Sequence, residues 1–432
     1  MNTQYPNLRN LVRMLHVIDA GGLSAAANAV GRSQQTLSHA MRKLEEVLGV
    51  QLFERTPQGT FPTPQALIMG ERVRNALGHL AEARVLFHEQ GPHSVKAQGL
   101  RLCELNVSNQ DVLIFLAMCE QHDVRRVAKQ LGVSTSAVRE VVTSLEAGAA
   151  EPLFAKTRHG LLTPTASGQL LARQLRRALW EIRAGMVEMR GAGQVEGEII
   201  IGVAPRAVAM LLPRIVTRVR EKYPTLKITH RIERYEALEQ ALRCRDIDFL
   251  VGSVRSPTAA DDIAVYPLLR DRLGILAHAG HPLCRASYPQ VGQYLECQWI
   301  LPGPHIWIRS RFDECLRRHR LPEPAVLIES GSYELVRSML LKTDAIALAL
   351  RCEAMHDVEQ GTLCFLPAPP ALAELFDSTV TLHLLCPLVV RRSPGAQAFF
   401  EIATQVAAEL QSELDAFDSK WLAMAGRRCV VG

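Results

Sequence analysis

Five side chains that can donate or accept hydrogen bonds, Gln34, Gln35, Ser38, His39 and Arg42, fall within one short stretch. Leu37, Met41, Leu44 and Leu48 interleave with them at spacings of three and four. The stretch therefore predicts a helix with one apolar face for a core and a polar face turned outward. That outward set has the chemistry of the major groove: glutamine matches the edge of adenine, and arginine matches guanine or holds phosphate. Ser33 precedes the run as an N-cap, and Thr36 joins the polar set in the first turn. The partner this chemistry implies is double-stranded DNA.

The elements that must position this face lie on either side of it. Asn7–Asp19 carries a helical stripe of Leu8, Leu11, Val12, Leu15 and Ile18, ended by Gly21-Gly22. Ser24 is read as the cap of a second helix, Ala25–Val30, whose run of alanines permits close packing. Gly31 breaks that helix before Ser33 opens the third. Two helices joined by a tight turn, the second capped and polar outward, form the helix-turn-helix layout. Gly49–Phe53 reads as a strand, and Thr56–Pro64, rich in Pro and Gly, as the turn of a β wing behind Arg55. One such copy also fits a plain helical hairpin with a solvated face.

The pattern recurs. Ser33, Leu44-Glu45 and Leu52-Phe53 return as Ser134, Leu145-Glu146 and Leu153-Phe154, an offset of 134 − 33 = 101 residues. That period is too long for a solenoid and indicates a duplicated small domain. In the second copy Val107–Glu120 and Val124–Leu131 supply the first two helices. Ser134 caps the third, with Thr135 and Ser136 in its first turn and Val138, Val142 and Leu145 as its core face. The outward face differs. Arg42 and Lys43 give way to Thr143 and Ser144, His39 to Glu140, and Ser38 to Arg139. Cations gather instead at Arg125, Arg126 and Lys129 on the second helix and at Lys156, Arg158 and His159 around the wing, where they suit phosphate rather than bases. Gly148–Pro152 replaces the link seen in the first copy, so this third helix is expected to end early. We read the first copy as the main base reader and the second as mainly a backbone holder. Two heads that both read bases, and a purely structural second copy, stay open at this point.

The first copy resembles the winged helix-turn-helix of LysR-type transcriptional regulators. Ala26-Ala27, Ser33-Gln34, Ser38, Leu44-Glu45, Leu48-Gly49, Leu52-Phe53 and Arg55 all match the family pattern. Gln35 stands where that family usually has proline.

Each head leads into a long amphipathic helix. Met69, Val73, Ala76, Leu80, Ala83 and Phe87 form one seam, and Leu171, Leu175, Ala178, Ile182, Gly185 and Met189 another of the same spacing. The resemblance implies that such a helix pairs two subunits, so Thr165–Arg190 is expected to be a dimer seam. Met69–Phe87 is expected either to pair likewise or to pack within the chain. Gly91–Leu105 reads as a connector.

After Gly197 the pattern changes to alternating strands and helices: Glu198–Val203, Leu211–Lys222, Leu226–Ile232, Tyr235–Arg243 and Asp246–Gly252. A second unit spans about Trp299–Leu366, with strands at Val326–Glu329 and Ala345–Leu350 around helix Tyr333–Leu341. Val380–Cys386 reads as a return strand and Gly395–Gln411 as a closing helix. Ile201-Gly202-Val203, Leu212-Pro213, Tyr223-Pro224, Asp246–Phe249 and His281-Pro282-Leu283 resemble the periplasmic-binding-protein-like effector domain of the same family. Ligands of open α/β sheets sit beyond the carboxyl ends of strands. That rule points to Ala204, Pro205 and Arg206, to Ser253 and Val254, and to Pro302, Gly303, His305, Ser332 and Tyr333. The family usually has Ser or Thr where Ala204-Pro205-Arg206 stands; Arg206 offers a charge for a carboxylate instead. The resemblance implies a small-molecule effector, commonly a carboxylated metabolite or aromatic acid. It also implies assembly with itself as dimer or tetramer, and an effect on RNA polymerase through altered head spacing.

The fold class expected is multidomain: two all-α winged helix-turn-helix heads with long linker helices, then an α/β two-lobed (type 2) effector domain. The boundaries are 5–65 and 107–164 for the heads, 66–90 and 165–190 for the linker helices, and 91–106 for the connector. The effector domain spans 197–412, its second lobe about 285–366, with a tail at 413–432.

Composition agrees with this division. Residues 1–190 hold 22 Lys+Arg against 16 Asp+Glu, and 191–432 hold 27 against 28, so the positive excess lies with the duplicated motif. The ten cysteines include no CxxC pair and no Cys/His cluster with zinc spacing. They are read as reduced in a cytoplasmic protein, with no metal and no cofactor. No leader or membrane span is read. An enzyme with a DNA-binding appendage would need catalytic motifs, and none of the common nucleotide, hydrolase or metalloprotease signatures is present. A periplasmic solute-binding protein is opposed by the duplicated heads.

Overall fold

The computed structural model describes residues 5–57, 59–86, 108–149, 151–158, 160–189, 195–203, 208–254, 262–286, 289–304, 306–377, 379–388 and 392–430. The expected connector, Ala204–Arg206, His305, Phe87 and His159 lie outside them. Contacts divide the chain into two compact units, Met1–Gln194 with Arg243–Asp246, and Val195–Leu242 with Ile247–Gly432.

In the first unit one order of elements occurs twice. The first repeat is α1 (Leu8–Asp19), α2 (Leu23–Val30), α3 (Gln34–Leu48), β1 (Phe53–Thr56), β2 (Gly59–Pro62) and α4 (Pro64–Glu82). The second is α5 (Asn109–Gln121), α6 (Val124–Leu131), α7 (Thr135–Gly148), β3 (Phe154–Lys156), β4 (Leu162–Pro164) and α8 (Ala166–Met189). The repeated residues explain the repeated shape. Ser33 and Ser134 accept from the amides of Thr36 and Ala137, satisfying N–H groups that a helix start leaves unpaired. Glu45 accepts from the amides of Leu52 and Phe53 at 2.8 and 3.2 Å, and Glu146 from those of Leu153 and Phe154 at 3.0 Å each. Each glutamate thus ties the end of its third helix to the start of its wing.

Ser24 is a correction: α2 starts at Leu23 with Gly22 as its N-cap and no side-chain cap bond. The early end expected for the third helix of the second repeat amounts to one residue. α3 stops at a left-handed Gly49, whereas α7 stops at Gly148 before an extended Ala149.

The two repeats share one hydrophobic core, to which Leu11, Leu37, Leu44, Val112, Val138 and Leu145 all belong. The long helices close it. α4 and α8 run antiparallel: Arg72 meets Glu188, and Glu82 meets Gln174. Both apolar seams read from the sequence face each other, with Met69, Val73, Ala76 and Leu80 buried on one side and Leu171, Leu175, Ala178 and Ile182 on the other. The apolar seam of Thr165–Arg190, expected to pair two subunits, is covered here by α4 of the same chain.

The second unit contains α9 (Val208–Lys222), α10 (Tyr235–Arg243), α11 (Val291–Glu296), α12 (Trp307–Arg318), α13 (Tyr333–Leu340), α14 (Arg351–Glu359), α15 (Ala373–Asp377) and α16 (Pro394–Val430). Strands β6 (Leu226–Ile232), β5 (Gly197–Val203), β7 (Phe249–Gly252), β13 (Thr379–Pro387) and β8 (Ile263–His278) form one lobe's sheet, neighbours in that order. β8 continues into the other lobe, pairing with β11 (Ile346–Leu350) and β12 (Leu363–Leu366); β9 (Trp299–Leu301) and β10 (Val326–Glu329) follow beyond β11. β5, β6 and β7 run parallel to one another, as do β9, β10 and β11.

The sequence reading contains no β8. The strand joins the second lobe at Leu273, ahead of the expected start near 285. α16 runs to Val430, so the expected tail from 413 is helical. Cys284 and Cys364 form a disulfide, which corrects the reading of all cysteines as reduced.

Candidate nucleic-acid and effector sites

The polar set of the first repeat stands where a groove could reach it. Ser33, Gln34, Gln35, Thr36, His39 and Arg42 are exposed on α3 and Ser38 is half-buried, while Leu37, Met41, Leu44 and Leu48 are buried behind them. Lys43, which the sequence reading did not single out as a contact, is exposed beside Arg42. Its charge was the signal available. Arg55 lies on β1 at the wing.

In the second repeat Ser134, Thr135, Ser136, Arg139, Glu140 and Thr143 are exposed on or at the head of α7, over buried Val138, Val142 and Leu145. Arg125 and Arg126 are exposed in the first turn of α6. Arg126 also lies 3.9 Å from Asp123, the N-cap of that helix, so part of its charge is answered locally. Lys156 and Arg158 are exposed on the wing. Neither outward face is sealed by packing, and the acid at Glu140 sits in the middle of the second.

In the effector unit the loops after β9 and β10 are brought side by side. Ser330 donates its amide to the carbonyl of Leu301, and Gly331 stands against Ile306. Pro302, Gly303, Ser332 and Tyr333 are thereby gathered at the carboxyl ends of parallel strands. Ser332 caps α13, accepting from the Leu335 amide. Tyr333 is committed elsewhere: its hydroxyl donates to Asp357 at 2.8 Å, beside Arg337, which donates to the same carboxylate at 2.8 Å. Burial opposes the charge of Asp357, but the hydrogen bonds from Arg337 and Tyr333 outweigh it and hold the carboxyl below its ordinary range. Burial, reinforced by the bond to Asp357, pushes the Tyr333 phenol up, so it remains a neutral donor. Ser253 and Val254 follow β7 and are half-buried, Val254 against the small core around Leu238 and Leu250. Among the described residues no group of three or more His, Cys, Asp and Glu could hold a metal ion. None of their helices is long and apolar enough to cross a membrane.

Family models match most of the chain. The "Bacterial regulatory helix-turn-helix protein, lysR family" model matches residues 8–67 and again 110–169, and the "LysR substrate binding domain" model matches residues 192–408. The chain belongs to the LysR family: it is a DNA-binding transcriptional regulator with an effector-binding domain, not an enzyme. It is 27% identical to the HTH-type transcriptional regulator GalR of Pseudomonas putida over 412 residues, 95% of this chain and 99% of that one. With GbpR of Azospirillum brasilense it shares 27% identity, covering 64% and 80% of the two chains. Among solved structures, ArgP from Mycobacterium tuberculosis matches with a TM-score of 0.55 at 16% identity, covering 70% of this chain and 98% of that one. A full-length OxyR variant from Pseudomonas aeruginosa matches at 0.50 and 17%, covering 69% and 96%. These two likenesses concern the fold. Both solved chains are used almost end to end, yet about 30% of this chain is left unmatched.

Proposed function

We propose that both repeats are DNA-reading heads with different tasks. The first reads bases through Gln34, Gln35, Ser38, His39 and Arg42, with Ser33, Thr36 and Arg55 placing the backbone. The second holds phosphate through Arg125, Arg126, Arg139, Lys156 and Arg158, with Ser134, Thr135, Ser136 and Thr143 as short polar contacts. The observation that carries this is the exposure of both third-helix faces above buried apolar ones, with cations on the first face and an acid within the second. Arg139 favours a second reading, in which the second head also contacts bases; the paired arginine variants described in the Discussion separate the two.

The effector is proposed to be a small anion held at the strand ends around Ala204–Arg206, Ser253-Val254, Pro302, Gly303, His305 and Ser332, with Tyr333 bounding the site through its bond to Asp357. Its binding would change how the heads engage DNA and, through that, RNA polymerase, in the cytoplasm where the DNA lies. Genomic footprinting of the full-length protein tests the DNA reading. A thermal-shift screen of small carboxylates tests the other half, and a screen in which only uncharged compounds shift the transition would overturn the anion.

A further inference from the structure

Positions that correspond in the two repeats touch each other. Leu8 and Asn109 are 101 residues apart, and the amide of Leu8 donates to the side-chain oxygen of Asn109. One apolar cavity is lined by Leu11 with Val112, by Val73 with Leu175 and by Leu80 with Ile182, each pair a residue and its counterpart. Equivalent positions meet only around a two-fold axis, the arrangement of an isologous dimer. Here that arrangement is made by one chain.

The seam also distinguishes α4 paired with α8 from either helix paired with itself. Arg72 is buried on α4. It donates to Glu188 at 2.5 and 3.1 Å and to Glu181 at 2.9 Å, and none of the three side chains is more than 6% exposed. With the one extra residue in the second wing, the counterparts of Arg72, Glu181 and Glu188 are Gln174, His79 and Leu86. Two α8 helices from different chains would therefore bring four carboxylates into the seam with glutamine where Arg72 stands. Two α4 helices would bury two guanidiniums facing His79 and Leu86. Unpaired buried charge is strongly unfavourable, so the cluster permits α4 with α8 and rejects either helix with itself.

We propose that a single chain is a complete pair of DNA-binding heads, the first reading one half of its site and the second holding the backbone of the other half. This rests on the reading of both repeats as DNA-binding. A protein with one head per subunit needs two chains for the same task.

Two measurements on the full-length chain test it. Arg72→Gln should lower the melting temperature by roughly 5–20 °C, because two buried carboxylates lose their cation. Adding Glu181→Gln and Glu188→Gln in the same chain should recover much of that loss, whereas coexpressing R72Q chains with E181Q/E188Q chains should recover none. Rescue between chains would show that α4 pairs with a neighbour's α8 and would overturn the proposal, as would failure of the same-chain rescue. Separately, the wild-type protein is titrated with the shortest duplex that it protects from nuclease. One chain per duplex is expected, with Arg42→Ala losing protection over one half only. Two chains per duplex would overturn the single-chain reading. If no duplex is protected while the melting results come out as expected, the DNA reading of the repeats fails and the intrachain pairing stands.

Discussion

Leu8 and Asn109 are counterparts in the duplication, and they are bonded to each other. Asn109 also donates to the carbonyls of Tyr5 and Pro6 at 2.9 and 3.0 Å, so one side chain of the second repeat orders the chain entering the first. Replacing Asn109 by leucine, the residue its counterpart carries, removes those bonds and leaves two backbone carbonyls unanswered. The expected cost is about 1–3 kcal/mol, with faster hydrogen exchange at the start of α1. An unchanged melting temperature would show that this contact orders nothing.

Arg42 and Arg139 occupy the outward faces of their heads but neighbour different chemistry. Arg42→Ala should cost about 1–3 kcal/mol and relax sequence selectivity, while Arg139→Ala should weaken all sequences alike and reduce the salt slope by about one. Loss of selectivity in Arg139→Ala alone would reverse the roles of the heads. With cations facing phosphate as proposed, affinity should fall steeply between about 50 and 200 mM salt, and a flat response would sink the electrostatic footing.

His79 sits beside Glu181 in the seam. Burial lowers its pKa from 6.5 to about 4, although Glu181, 3.9 Å away, pulls the other way. The folded state thus keeps a neutral imidazole that the unfolded chain protonates below about 6.5. The stabilising contribution is full above that pH and declines as pH falls from about 6.5 towards about 4. His79→Leu should flatten this part of the melting-temperature profile. Parallel slopes for the two proteins would remove His79 from the account.

Gly168 lies where α8 passes the second wing. A β-carbon there would come 2.1 Å from the carbonyl oxygen of Leu153, which is backbone and cannot turn aside. Gly168→Ala should therefore destabilise the first unit by several kcal/mol, beyond the usual range for a surface change. Far-ultraviolet circular dichroism during urea unfolding would measure it.

Much of the head architecture was legible because each local signal has one physical meaning. A serine before an amphipathic run caps a helix, and a glycine in the left-handed region ends one. The outward polar face of α3 followed from the period of Leu37, Met41, Leu44 and Leu48. What covers the long helices was not legible, since two identical seams can close on each other or on copies of themselves. The ionic cluster that decides between these needs residues 109 and 116 positions apart to be seen together.

β8 was missed for a different reason. Pro267 and the charged run Arg270–Arg272 interrupt its apolar pattern. The fold accommodates them: the register shifts near Pro267, where β13 pairs with β8, and buried Asp271 accepts from the amides of Arg272 and Cys352. In the effector loops the sequence placed Ser332 and Tyr333 at strand ends, where the structure has them, but it gave no sign that Asp357 takes the Tyr333 hydroxyl. Cys284 and Cys364, 80 residues apart, showed no spacing that would have paired them.

The substitutions between the two third helices acquire a meaning from the shared core. When one gene product supplies both halves of a symmetric reader, every codon change alters both recognised words at once. A covalent tandem removes that constraint, because His39 could persist while its later counterpart became Glu140, and Arg42 while its counterpart became Thr143. Each repeat then carries its own mutational history, and one outward face can keep its base-reading chemistry while the other changes.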